Sequence, residues 1–270
     1  MKIILFGSNG MLGTYLDKYL SAKYDVFKLT KKDIDISKVY EDKLFSYLNE
    51  VVCEDDLIIN AAGIIKQRDY NLLDMIKINS IFPNQLSKFK KKTNCKIIHF
   101  TTDCVFSGIR GEYSENDLHD CLDDYGKSKS LGEPSDITVI RTSIIGEENE
   151  NKKSLLEWVK SNSNKTINGY DNHLWNGITC LEASKLIDKI ISEDLFWSGV
   201  RHIHSETVSK FELVSMINSI FNLNITINKV STPEKCFRNL KTINEKNLIK
   251  DSLYLQISDL KKFNIINDNN

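Results

Sequence analysis

Lys2-Ile3-Ile4-Leu5-Phe6-Gly7-Ser8-Asn9-Gly10-Met11-Leu12-Gly13 reads as a strand, a glycine-rich turn and the start of a helix. The apolar run 2–6 is short and nearly unbroken, which suits a parallel strand covered on both faces. The glycines are spaced three and three and lead into an amphipathic stretch, 11–20. Such spacing lets the backbone turn tightly, approach a pyrophosphate and pack helix against strand, while free N–H groups and the helix dipole favour an anion. It differs from the Gly-x-Gly-x-x-Gly form and draws its weight from standing between the first strand and the first helix. The plain alternative is a tight β-α turn with no ligand.

The same alternation continues outward. Strands are expected at 25–29, 57–60, 96–101 and 138–141, and helices at 39–50, 72–90 and 125–131. The expected fold class is α/β, a Rossmann-type doubly wound parallel sheet with a smaller C-terminal α/β substrate domain. Beyond Gly146 the pattern loosens: a helix at 154–159, an aromatic and amide-rich stretch at 169–179, a helix at 181–191 and a strand at 200–204. A further helix, 209–221, opens on Ser209 with Glu212 three residues on, the arrangement of a capping box. The expected division is 1–147 plus about 177–202 for the dinucleotide, and about 148–176 plus 203–270 for the substrate.

Composition narrows the function. The 270 residues hold 36 basic and 37 acidic side chains, and 41% are hydrophobic. A near-zero net charge argues against non-specific nucleic-acid binding, and the hydrophobic content argues against disorder. No apolar run approaches the ~20 residues that cross a bilayer, so no membrane association and a cytoplasmic location are expected. The six cysteines lack Cys-x-x-Cys spacing, which suggests reduced, mostly buried thiols and neither a disulfide framework nor a zinc site. His99, His202 and His204 alternate in strands without ligand spacing and read as packing or surface residues; no metal is expected. The run 88–96 is a solvated basic face, and Trp158 and Trp197 are expected to fill core or interdomain gaps.

Cofactor choice is expected at the end of the second strand, where Leu29-Thr30-Lys31-Lys32-Asp33 stands. A basic residue there neutralises the 2'-phosphate of NADP, and an acidic one holds the ribose of NAD. Lys31 and Lys32 come first, which favours NADPH. Asp33, ~20 residues beyond Gly13, keeps NADH open.

Tyr125 and Lys129 are four apart on a predicted helix, hence on one face. A free tyrosine titrates at ~10, so a nearby ammonium is a means of making it a usable proton donor near neutrality. Thr101-Thr102-Asp103 ends the fourth strand, where open parallel sheets place their ligand crevice, and a threonine hydroxyl there can bind a carbonyl oxygen. Asn60-Ala61-Ala62-Gly63 ends the third strand with small side chains where a flat dinucleotide must pass.

Together with Cys104-Val105-Phe106-Ser107-Gly108, Gly126-Lys127-Ser128 and Arg141-Thr142-Ser143, these motifs resemble the extended short-chain dehydrogenases/reductases, and within them the dTDP-4-dehydrorhamnose reductase branch, over roughly residues 1–205. The resemblance implies NADPH-dependent reduction of the 4-keto group of a nucleotide-linked 6-deoxyhexose, in deoxysugar and surface polysaccharide biosynthesis. It implies Thr102, Tyr125 and Lys129 as the catalytic set. The expected cofactor residues are Gly7, Asn9, Gly10, Met11, Leu12, Gly13, Thr30, Lys31, Asp35, Ile36, Ala61, Ala62, Gly63 and Asn79, with Tyr125 and Lys129. The expected substrate residues are Lys66, Asp103, Phe106, Ser143, Trp175 and Asn176, with Thr102 and Tyr125. Lys66 and Arg68 are candidates for the substrate's diphosphate, or else a solvated loop.

One departure is Ile144, where the family often has a tryptophan against the sugar. Trp175 could supply that aromatic surface, or belong to the core. Two other readings stand beside the reductase: a non-catalytic NADP-binding regulatory subunit, disfavoured by retention of the proton donor, and a sugar-nucleotide epimerase or dehydratase. A dehydratase would carry Asp-Glu after the threonine, where this chain has Asp103-Cys104. One chain leaves a homodimer open.

Overall fold

The computed structural model describes the chain except residues 67–69, 94, 149–151, 245–247 and 269–270, with side chains described up to residue 264. Its first half runs β1 (Lys2–Phe6), α1 (Met11–Leu20), β2 (Asp25–Leu29), α2 (Glu41–Val51), β3 (Leu57–Asn60), α3 (Leu72–Ile76), α4 (Phe82–Thr93), β4 (Lys96–Thr102), α5 (Asp124–Ser130) and β5 (Thr138–Thr142). The second half runs β6 (Ile144–Ile145), α6 (Leu155–Ser161), β7 (Thr166–Tyr170), β8 (His173–Trp175), β9 (Ile178–Thr179), α7 (Cys180–Ser192), β10 (Gly199–His202), β11 (Val208–Ser209), α8 (Lys210–Phe221), β12 (Thr226–Val230), β13 (Cys236–Phe237) and α9 (Leu253–Asp268).

Six strands form one parallel sheet in the order β10-β5-β4-β3-β1-β2. Alternation along β1 explains its place in it. Ile3 and Leu5 face one core, with α1 and α7, while Ile4 and Phe6 face another, with Leu44 and Phe82 from α2 and α4. All four are at most 2% exposed, and burying each stabilises by about 1.5–3 kcal/mol. Succession along the sheet reverses between β1 and β3, so the crevice of an open sheet falls at their carboxyl ends, beside Gly7 and Ala61.

The later strands make three small sheets, β11-β8-β13, β12-β7 and β6-β9. Ser209 and Glu212 form the expected capping box of α8. The expected helix 72–90 is instead broken by a five-residue π-helical turn, Lys77–Ile81, which buries Asn79 and Ser80. Trp158 is a second correction: Leu156 and Val159 take the inner face of α6, so the indole between them points outward. Of the six free thiols only Cys95 and Cys180 are fully buried, and Cys53 is exposed. Among the described residues no helix is long and apolar enough to cross a membrane.

Candidate active site

The turn after β1 is built by what its glycines lack. Gly7 has φ +78°, and a Cβ there would lie 2.6 Å from the Ala62 nitrogen; on Gly13 it would lie 2.0 Å from the Gly7 carbonyl oxygen. α1 therefore nests against β1 and β3. Its N-terminus has no side-chain cap and no acidic residue in the first turn, which leaves N–H groups and the positive dipole end for a ligand. A cavity of about 370 Å³ lies there, lined by Gly7, Asn9, Gly10, Met11, Thr30, Lys31, Asp35, Ile36, Ala61, Ala62 and Gly63. Gly13 does not line it and packs on the backbone of Gly7 and Ser8. Lys31 stands at the rim, 3.6 Å from Asp35. Asp33 turns away, accepting from the Thr30 nitrogen at 2.8 Å and its hydroxyl at 2.7 Å.

A second cavity of about 330 Å³ shares Gly10, Met11, Ala61, Ala62, Gly63 and Glu148 with the first, and adds Leu12, Thr102, Asp103, Tyr125, Lys129 and Ser143. α5 delivers Tyr125 and Lys129. Asp123 starts that helix by accepting from the Gly126 nitrogen at 2.7 Å. Lys129 is 6% exposed and donates to the Phe100 carbonyl at 3.2 Å. Burial lowers its pKa to about 8, against the pull of Glu133. Burial also raises the Tyr125 phenol above its ordinary value, with Thr102 pulling it down and Cys104 and Asp103 adding to the rise. Burial, and not the lysine, governs this phenol. It is a fully protonated acid at neutral pH, ready to donate.

Thr102 ends β4, donates to Asp103 Oδ1 at 3.1 Å and accepts from the Cys104 nitrogen at 3.2 Å. Asp103 is buried, which raises its pKa against the opposing pull of Arg238 and Lys210. Ser143 is fixed from behind, accepting from Trp175 Nε1 at 2.7 Å.

Besides Gly13, five expected site residues line neither cavity. Trp175 is in the core and supports Ser143 without lining either cavity. Asn176 spends its amide on the Leu240 carbonyl and nitrogen, at 2.7 and 2.9 Å. Phe106 is fully buried and stacks on Tyr113 at 4.3 Å. Lys66 pairs with Asp123 at 3.0 Å and lines neither cavity. Asn79 braces the loop after β3, bonding both backbone groups of Ile64 at 2.9 Å and the Ser128 hydroxyl at 3.0 Å. Arg68 lies outside the described residues.

Three further residues carried no motif: Glu148, and the cations Lys210 and Arg238, which line neither cavity but act on Asp103, which lines the second. Glu148 lines both cavities. Lys210, the first residue of α8, holds its ammonium 5.1 Å over the Trp175 ring; burial lowers its pKa, while Asp103 opposes. The ammonium is deeply placed although the side chain is still partly exposed to solvent. Arg238 donates to the Phe106 carbonyl at 3.1 Å and reaches Cys104 Sγ at 3.8 Å. Among the described residues no carboxylate pairs with Lys210 or Arg238.

Residues 1–234 match the family described as RmlD substrate binding domain. Among curated proteins, the dTDP-4-dehydrorhamnose reductase of Aggregatibacter actinomycetemcomitans is 32% identical over 149 residues, 53% of this chain and 49% of the relative. That of Mycolicibacterium smegmatis is 27% identical over 161 residues, 53% and 46% of the two chains. The matched stretch thus spans about half the length of these relatives. Among solved structures, a hypothetical dTDP-4-dehydrorhamnose reductase from Sulfolobus tokodaii superposes with TM-score 0.77 at 24% identity, covering 94% of this chain and 98% of that one. A Bacillus anthracis dTDP-4-dehydrorhamnose reductase in complex with NADP gives 0.78 at 21% identity, covering 98% and 99%. The structural likeness establishes the fold, and the match over residues 1–234 establishes that the chain belongs to the RmlD substrate binding domain family.

Proposed function

We propose that this chain reduces the 4-keto group of a nucleotide-linked 6-deoxyhexose with NADPH, as a step in deoxysugar and surface polysaccharide biosynthesis. One observation carries the reading: Thr102, Tyr125 and Lys129 meet at one cavity that continues into the glycine-lined groove. The names of the relatives support the substrate class.

The groove fits a dinucleotide, because the approach of Gly7 to Ala62 leaves no room for a Cβ and the end of α1 offers unspent N–H groups. Gly7 to Leu12 would take the pyrophosphate, Asp35 and Ile36 the adenosine side, and Lys129 the nicotinamide ribose. Lys31 at the rim, with Asp33 turned back on Thr30, supports NADPH over NADH. When bound, NADPH supplies hydride to the ketone carbon. The Thr102 hydroxyl grips the ketone oxygen, exchanging its present bond to Asp103 for one to substrate. Tyr125 gives its proton to the oxygen as negative charge develops there. Lys210 and Arg238, which act on Asp103 and form no ion pair with a carboxylate among the described residues, would receive the diphosphate. All these groups come from one chain, so the reading does not require a homodimer.

The test is NADPH oxidation by the purified protein with freshly generated dTDP-, UDP-, GDP- and CDP-linked 4-keto-6-deoxyhexoses. Tyr125→Phe should lower kcat by at least ~100-fold. Wild-type turnover in that variant would remove Tyr125 as the proton donor.

A further inference from the structure

Behind the cavity lies a charge cluster that the reaction does not touch. Glu133, four residues after Lys129, has a side chain only 4% exposed, and its partner Arg141 only 2%. Arg141 Nε donates to Glu133 Oε1 at 3.0 Å and Nη2 donates to Oε2. The Thr101 hydroxyl donates to Oε1 at 2.8 Å. Two of the three remaining guanidinium hydrogens, one on each Nη, meet ring nitrogens, His202 Nε2 and His119 Nε2, both at 2.7 Å. A guanidinium only donates, so both imidazoles must be neutral acceptors with their hydrogen on Nδ1. Those hydrogens reach the Lys241 carbonyl at 2.7 Å and the Ser130 hydroxyl at 2.6 Å.

A buried ion pair is poor value for stability alone, and the position of this one suggests another use. Thr101 stands between Phe100, whose carbonyl holds Lys129, and Thr102; Ser130 follows Lys129 directly. The cluster thereby fastens the end of β4 to the last turn of α5, the two elements that carry the reacting groups. Around the Lys129 ammonium stand neutral His99 on β4, Tyr125 one turn back on α5, and Glu133, whose charge alone raises the lysine's proton affinity.

We propose that Glu133 is a positioning residue for the reduction: gripped by Arg141 and Thr101, it holds α5 against β4 and supplies a negative charge that acts on the buried Lys129 ammonium. The inference rests on the reductase reading for its kinetic half only. In the full-length protein, competitive acetic anhydride labelling of Lys129 against pH reads its titration directly, with a wild-type midpoint near 8. Glu133→Gln should move that midpoint down by about half a unit or more, and lower kcat about tenfold with KM for the keto sugar within about threefold. Wild-type midpoint and kcat in Glu133→Gln would overturn the inference. If the wild type reduces no keto sugar, the reductase reading fails, and the labelling midpoint still judges Glu133. Should Glu133→Gln not fold, Glu133→Asp decides: a wild-type midpoint with lowered kcat supports positioning, and unchanged kcat overturns it.

Discussion

A lysine held in the interior against a backbone carbonyl is a costly way to end a helix, and the burial that depresses the pKa of Lys129 is the source of that cost. Its pKa in the fold, about 8, lies below the unfolded value of ~10.4. The unfolded chain therefore binds more protons between those values, and stability rises with pH there. The penalty is fully present below pH 8 and disappears as pH climbs toward ~10.4, amounting to about 3 kcal/mol at neutral pH. Lys129→Met should remove turnover and yet raise stability at pH 7 by about 2 kcal/mol, after about 1 kcal/mol is lost with the bond to Phe100. Urea unfolding at pH 7 and pH 10 checks this. A gain that does not shrink at the higher pH would belong to packing and not to charge.

At the scale of the element, the first five strands of the main sheet were legible to within a residue, because β1, β3 and β4 are apolar on both faces, whereas the strand expected at 200–204 ends at His202 and the short strands of the three small sheets were not legible. The break in the helix after β3 was not legible. A π-helical turn shifts backbone hydrogen bonds without disturbing the side-chain pattern, yet it is what turns Asn79 and Ser80 inward onto Ser128 of α5. The glycine turn was legible as a tight strand-to-helix turn, but its three glycines differ in kind. A Cβ on Gly10 would come no closer than 3.3 Å to any neighbour, whereas on Gly13 it meets rigid backbone at 2.0 Å. Gly13→Ala should therefore destabilise by on the order of 3 kcal/mol, and Gly10→Ala by no more than about 1 kcal/mol. Thermal unfolding of the two variants without cofactor separates them. Equal losses would mean that helix entry, and not the contact of α1 with Gly7, sets the cost.

Across the whole molecule, the candidate site joins two stretches of chain that carry very different amounts of sequence signal. The proposed cofactor groove comes from the first 148 residues, where strand ends and glycines announce themselves. Lys210 and Arg238 were not legible as site candidates: the capping box around Lys210 announces only a helix start, and a cation brought in by tertiary packing needs no local spacing. Their places depend on long-range ties instead: Asn176 to Leu240, and Arg238 to the Phe106 and Ser107 carbonyls. We take residues 1–147 with about 177–202 as the cofactor-binding part, and about 148–176 with 203–270 as the substrate-binding part. On that division Arg238→Gln removes a charged hydrogen-bond donor from the substrate side only. KM for the keto-sugar nucleotide should rise at least about tenfold, the loss of one charge-assisted hydrogen bond, while the NADPH Kd from fluorescence titration stays within about twofold. A variant that loses NADPH affinity and keeps its KM would place Arg238 on the cofactor side and undo the division.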